Sequence, residues 1–106
     1  MRIDELKQRL NAIGWQEQVD AELAERPSMA SRVDPETVVA ALLALAASVD
    51  DALLDELESE PGYEIWCLRL AASRDTATAQ LRAQRYVDST NWRLRHWARR
   101  IAGVAS

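Results

Sequence analysis

Glu64-Ile65-Trp66-Cys67-Leu68-Arg69-Leu70-Ala71-Ala72-Ser73 is the stretch that decides the fold. Seven of its ten residues are apolar, and they do not fall on one stripe. Wound as a helix, Ile65, Leu68 and Ala72 make one face and Trp66, Leu70 and Ser73 another, with Cys67 and Ala71 between them. A helix that is apolar on nearly all sides has neighbours on nearly all sides. It is far shorter than the roughly 20 apolar residues that span a bilayer, so it belongs at the centre of a helical protein. Its pattern also returns. Trp66-x-Leu68-Arg69-x-x-Ala72 is matched 26 residues later by Trp92-x-Leu94-Arg95-x-x-Ala98, and more faintly 26 residues earlier by Ala40-x-Leu42-Leu43-x-x-Ala46.

Composition agrees with a helical chain. Three Gly, three Pro and no Phe leave little material for hairpins, while Ala, Leu, Glu and Arg, all strong helix formers, dominate. The expected fold is all-α in one domain of 106 residues. One cysteine excludes an intrachain disulfide and a cysteine-based zinc site. Cys67 lies in the most apolar stretch and reads as core filling. Met1 leads into polar, charged sequence with no apolar leader, and the longest apolar run, Val38 to Ala47, is too short for a membrane span. A soluble cytoplasmic protein without membrane contact is expected.

Charge is distributed unevenly. Up to Glu64 there are 5 basic and 15 acidic residues; from Ile65 onward there are 8 basic residues, all Arg, and 2 acidic. The balance runs from −10 to +6 within a net −4, so the two ends meet different partners.

Spacing places the elements. Ile3, Leu6, Leu10 and Ile13 predict a first helix, with Gly14 as its stop. Trp15, Val19 and Leu23 predict a second, its polar face carrying Glu17, Asp20, Glu22 and Glu25, halted near Pro27; a single bent helix is the alternative. Residues 27–34 read as a loop ending in Asp34 as N-cap, Pro35 at the first helical position and Glu36 behind it. The helix from Pro35 to about Ser48 is apolar almost all round, which predicts that it is sandwiched. Asp50 and Asp51 start a shorter helix with Leu53, Leu54 and Leu57 inward, and Pro61-Gly62 halts it. After the central helix, Asp75 or Thr76 caps another, with Leu81, Tyr86 and Val87 as apolar contacts and Gln80, Arg82, Gln84 and Arg85 on the wet side. Asp88 to Asn91 is a polar turn offering an N-cap. The last helix, 91 to about 102, has Leu94, Trp97, Ala98 and Ile101 on one stripe, and Gly103 closes it.

Leu53-Leu54-x-x-Leu57, then Pro61 at a turn, then Leu68-Arg69-x-x-Ala72, recur as Leu81, the turn Asp88 to Asn91, and Trp92-x-Leu94-Arg95-x-x-Ala98-x-x-Ile101-x-Gly103. This resembles the HEAT-repeat superfamily over residues 51–103. The resemblance implies a short right-handed stack of antiparallel helical pairs over 35–106, with 1–34 as capping helices; a compact helical bundle is the alternative. It implies a scaffold that binds proteins or, in some relatives, nucleic acid, and no catalytic residues. It also implies that Arg69 and Arg95 brace neighbouring repeats, pairing with an acidic residue such as Asp88 or Glu64.

Catalysis finds little support in the residues. His96, the only histidine, stands among Arg93, Arg95, Arg99 and Arg100, which favour the neutral imidazole. There is no glycine-rich phosphate loop, no nucleophile with a base at fixed spacing and no pair of His ligands, so no cofactor or metal is expected. The acidic pairs Asp50-Asp51 and Asp55-Glu56 read as a solvated face. Tryptophan beside arginine is the composition of protein hot spots, and the candidate partner-binding set is Trp92, Arg93, His96, Arg99, Arg100, Arg82 and Arg85. The reading is a non-enzymatic protein-interaction module, in its sharper form an inhibitor or immunity-type protein that masks its partner through a charged helical face. A nucleic-acid binder using the Arg-rich C-terminal helices is the rival, disfavoured by the acidic half and a pI near 5.0. The acidic face gripping a basic partner and head-to-tail self-association are further readings of the same asymmetry.

Overall fold

In a computed structural model, which describes residues 1–24 and 35–103, three helices begin where short polar side chains take over unsatisfied backbone donors. Asp50 accepts the Leu53 N–H at 2.8 Å. Asp75 accepts the Ala77 N–H at 3.1 Å and the Thr78 hydroxyl at 2.6 Å. Asn91 accepts from Arg93 and Leu94 at 3.1 and 3.2 Å. Each cap satisfies donors that the first helical turn leaves without an internal partner. The resulting order is α1 (Ile3–Ala24), α2 (Pro35–Ala46), α3 (Asp51–Glu58), α4 (Glu64–Arg74), α5 (Thr76–Ala83) with a 3₁₀ turn over Gln84–Tyr86, and α6 (Trp92–Ala102). No strand occurs among the described residues. The predicted loop over 27–34 and its Asp34 cap lie outside them.

Helix α4 is central, as its all-round apolar sequence predicts: it touches α2, α3, α5 and α6. Cys67, Leu68, Leu70 and Ala71 are buried on it. Cys67, Leu70 and Ala71 join Leu6 and Leu10 of α1, Val38, Leu42 and Leu45 of α2, and Leu53, Leu54 and Leu57 of α3. Leu68 faces the other way, into a second cluster with Ala83, Leu94 and Ala98. Alanines at the α4–α5–α6 contacts let the backbones approach closely. Two positive-φ glycines sit where the chain turns: Gly62 (φ 88°) before α4 and Gly103 (φ 76°), whose N–H donates to the Arg99 carbonyl and ends α6. Both are left-handed positions that favour glycine.

Four expectations need correction. Gly14 does not stop a helix; α1 runs unbroken from Ile3 to Ala24. A Cβ at position 14 would stand 3.1 Å from Cζ2 of Trp66, so the glycine is there because a ring from α4 lies against it. Helix α2 is not sandwiched: Val38, Leu42, Leu45 and Ala46 are buried, but Val39 and Leu43 are 56% and 51% exposed. On α5 the buried residues are Ala79, Arg82 and Ala83, whereas Leu81 is 68% exposed. Arg82, read as wet, is therefore the one that faces inward.

The 26-residue repeat holds at some positions and not others. Leu68 and Leu94 are both buried in the same cluster. Trp66 is half-buried against Gly14 while Trp92 is exposed, and Ala72 is exposed while Ala98 is buried. Arg69 and Arg95 take different partners, as the next section describes.

Candidate functional site

Helix α6 is strongly two-faced. Leu94 and Ala98 are buried, with Trp97 and Ile101 half-buried beside them, while Trp92 is 67% exposed and Arg93, His96 and Arg100 are exposed too. Trp92, His96 and Arg100 are four residues apart and so share one stripe. Arg93, Trp97 and Arg100 run along its flank, beside a cleft of about 710 Å³ lined by Gly14, Glu17, Trp66, Arg69, Arg93 and Trp97 among others.

The cleft is built around Arg69. Its guanidinium donates two parallel hydrogen bonds to Glu17 of α1, at 3.1 and 2.8 Å. Its carbon lies 4.7 Å from the Trp66 ring centre and 4.5 Å from that of Trp97. A bidentate pair fixes geometry as well as charge, and a cation between two ring faces gains from both. One side chain thus ties α1, α4 and α6 together. The acidic partner foreseen for Arg69 was Asp88 or Glu64; it is Glu17, 52 residues away. Arg95 instead donates to the Ser89 carbonyl at 2.9 Å, bracing the turn before α6. Glu17, Gly14, Trp66 and Trp97 were not among the expected site residues. The one signal in the sequence was Gly14, a glycine inside an otherwise helical pattern, which costs about 1 kcal/mol there and so points to a packing reason.

The seven expected binding residues do not form one surface. Trp92, Arg93, His96 and Arg100 share the outer side of α6. Arg99 turns back, donating through Nε to the Val87 carbonyl at 2.8 Å and reaching Asp88 at 3.5 Å. Arg85 donates to Glu58 at 2.6 Å. Arg82, 7% exposed, reaches Asp55 at 2.8 Å and Glu58 at 3.1 Å. Burial opposes Arg82's charge, but the hydrogen bonds to Asp55 and Glu58 outweigh it and raise its pKa. Of the eight arginines in the second half of the chain, five face carboxylates of the chain itself and Arg95 holds a carbonyl. Arg93 and Arg100 meet only tryptophan rings among the described residues, Trp92 at 5.9 Å and Trp97 at 5.3 Å.

Compared with known protein families, curated proteins and solved structures, the chain matches none. Its own geometry therefore carries the functional argument. Among the described residues no cluster of His, Cys, Asp or Glu is arranged to hold a metal ion, and no helix is long and apolar enough to cross a membrane.

The only thiol is inert by position. Cys67 is fully buried, its Sγ 3.4 Å from the Leu54 carbonyl and 3.9 Å from Glu58. Burial first, and the Glu58 charge second, push its pKa from 9.0 up to about 12. The same two causes raise Tyr86 from 10.0 to about 12. Both groups are neutral when folded and ionise more easily when unfolded. Their contribution to stability is complete below the unfolded values and is lost as pH rises toward the folded ones. The expected result is a decline in stability between about pH 9 and 12 relative to its value at pH 8, read by urea unfolding. At neutral pH a disulfide reagent should label Cys67 at the rate of global unfolding; rapid labelling of the native protein would refute the assignment.

Proposed function

We propose that the chain is a non-enzymatic protein-interaction module whose α6 outer face, with the adjoining cleft, takes an acidic segment of a partner protein. The observation that carries this is the pairing of Arg93 and Arg100, which no carboxylate of the chain neutralises among the described residues, with an exposed Trp92 beside them. Arginine and tryptophan on a rigid helix are the groups that dominate protein interface energies. In its sharper form the module is an inhibitor or immunity-type protein that masks its partner through this face. The row of contacts from α2 to α4 to α6 and the equivalence of Leu68 and Leu94 support a stack of two to three HEAT-like pairs as the scaffold. Arg69 then acts as the brace between elements.

Nucleic acid is the weaker reading on the same count. A duplex binder commonly neutralises about 6–10 phosphates; here five of the eight C-terminal arginines are already matched by carboxylates.

The test is a titration of the intact chain, monitored by tryptophan emission, with an acidic peptide carrying interspersed aromatics and separately with random-sequence DNA. The peptide should shift Trp92 emission. Arg93→Ala and Trp92→Ala should each weaken binding by about tenfold or more, with unchanged helical content. Binding of DNA but not peptide, with a salt slope reduced by Arg93→Ala, would move the assignment to nucleic acid. No response to either would overturn the assignment of this face.

A further inference from the structure

Among the described residues two arginines line the cleft between α1, α4 and α6, and only one has a charge to offer. Arg69 is closed off. Both of its terminal nitrogens donate to Glu17, and the Trp66 and Trp97 rings lie against it at 4.7 and 4.5 Å. The pair is also turned the wrong way to receive an anion. The Arg69 side chain is 11% accessible and that of Glu17 is 44%, so the cleft meets the carboxylate rather than the guanidinium. Arg93, on the α6 side, has no carboxylate partner among the described residues and stands over the Trp92 ring instead. The rest of the lining is uncharged: Ile65, Trp66 and Trp97 give apolar wall, Gln18 an amide, and Gly14 and Gly62 no side chain. Glu17 cancels Arg69, and Arg93 leaves the cleft with a single positive charge.

We propose that Glu17 determines specificity: the cleft takes one acidic side chain, at Arg93, with a large apolar side chain beside it, and rejects a second acid. This deepens the assignment of the α6 face to an acidic segment and rests on it. A ligand carboxylate at Arg93 meets the one uncompensated charge of the cleft. The neighbouring side chain then faces Ile65, Trp66 and Trp97, where a Leu or Phe is favourably buried. A second carboxylate in that place loses water, finds Arg69 already saturated, and stands against the accessible Glu17. Charge attraction alone would make the most acidic segment the best ligand for an arginine-bearing helix. The internal carboxylate reverses that order. Glu17 is thus both the brace of α1 on α4 and the repulsive element that selects among acidic partners.

Three peptides titrated into the intact chain, followed by tryptophan emission, test this. One is acidic with interspersed Phe; in the others every Phe is replaced by Gln or by Glu. The Phe peptide should bind about tenfold or more tighter than the Gln peptide, and the Glu peptide, despite its higher charge, should bind weakest. Glu17→Gln keeps a side-chain oxygen for Arg69 and should narrow the gap between the Phe and Glu peptides by about tenfold. Glu56→Gln, the same change of charge on the exposed side of α3, should leave that gap as it is. Gln18→Glu adds a carboxylate to the cleft without touching the Glu17–Arg69 pair and should widen it. Circular dichroism confirms the fold of each variant. A Glu peptide that binds tighter than the Phe peptide overturns the proposal, and so does a gap that neither Glu17→Gln nor Gln18→Glu alters; in both cases the α6 face remains a site for acidic segments. No binding of any peptide overturns that assignment itself, and the role of Glu17 with it.

Discussion

Glu58→Ala is expected to destabilise the protein by about 3 kcal/mol, measured as a shift in urea midpoint at constant slope. Glu58 is largely buried, its side chain 13% accessible, and it accepts from Arg82 and Arg85 together. Arg82 is the buried partner, and its Nε already has no hydrogen-bond acceptor. Deleting the carboxylate leaves that guanidinium dependent on Asp55, whose side chain is 69% accessible. Removing one partner of a buried ion pair costs about 3–5 kcal/mol, because the remaining charge stays out of water uncompensated. Asp55 retains part of the pairing, which places the value at the low end. The double variant Glu58→Ala, Arg82→Leu should recover most of the loss, since an apolar pair in such a site is often neutral. The alkaline loss of stability should also shrink in Glu58→Ala, because the Glu58 charge is the second cause of the raised Cys67 and Tyr86 values. A single-variant cost below about 1 kcal/mol would show that the cluster is surface-like.

That cluster marks where sequence reading stops. The caps at Asp50, Asp75 and Asn91 were legible because a cap is a local event: the acceptor and its donors lie within three residues. The inward leucines of α3 and the centrality of α4 were legible because periodicity and all-round hydrophobicity depend only on the helix itself. Arg82 was not. Alone it reads as a solvated residue, and only the acids of α3, 24 and 27 residues upstream, make its burial affordable. Once it turns inward, Ala79 and Ala83 share its face and Leu81 is rotated out. Gly14 failed for the same reason. A helix-interior glycine costs only about 1 kcal/mol, and a ring contributed by residue 66 decides the matter. For the candidate site, Trp92, Arg93, His96 and Arg100 followed from spacing within one helix. The cleft beside them rests on Glu17 and Arg69, a contact across 52 residues that no local pattern announces.

Leu68→Ala carries the largest expected loss, about 4 kcal/mol, and its repeat-related partner Leu94→Ala a smaller one, about 2–3 kcal/mol. Both side chains fill the same cluster, and a scaffold of identical units would charge the same for each. Their surroundings differ. Leu68 is fully buried on the central helix, and the walls facing it include Ala83 and Ala98, which have only a methyl group to move into the space left behind. A site that cannot collapse retains its cavity, and cavity volume sets the cost above the transfer term. Leu94, 6% exposed, sits on α6, the last described helix, which touches α4 and α5 but neither α2 nor α3 extensively. It relaxes inward more easily. The two changes should be sub-additive, since both empty one pocket and the second removal enlarges a void already formed. In thermal unfolding, Leu68→Ala should lower Tm by about 15 °C or more for a domain of this size. Equal costs for the two leucines would mean that the terminal helix is held as tightly as the central one, which points to a further element packed on α6. A larger cost for Leu94 than for Leu68 would remove α4 from the centre of the energetics altogether.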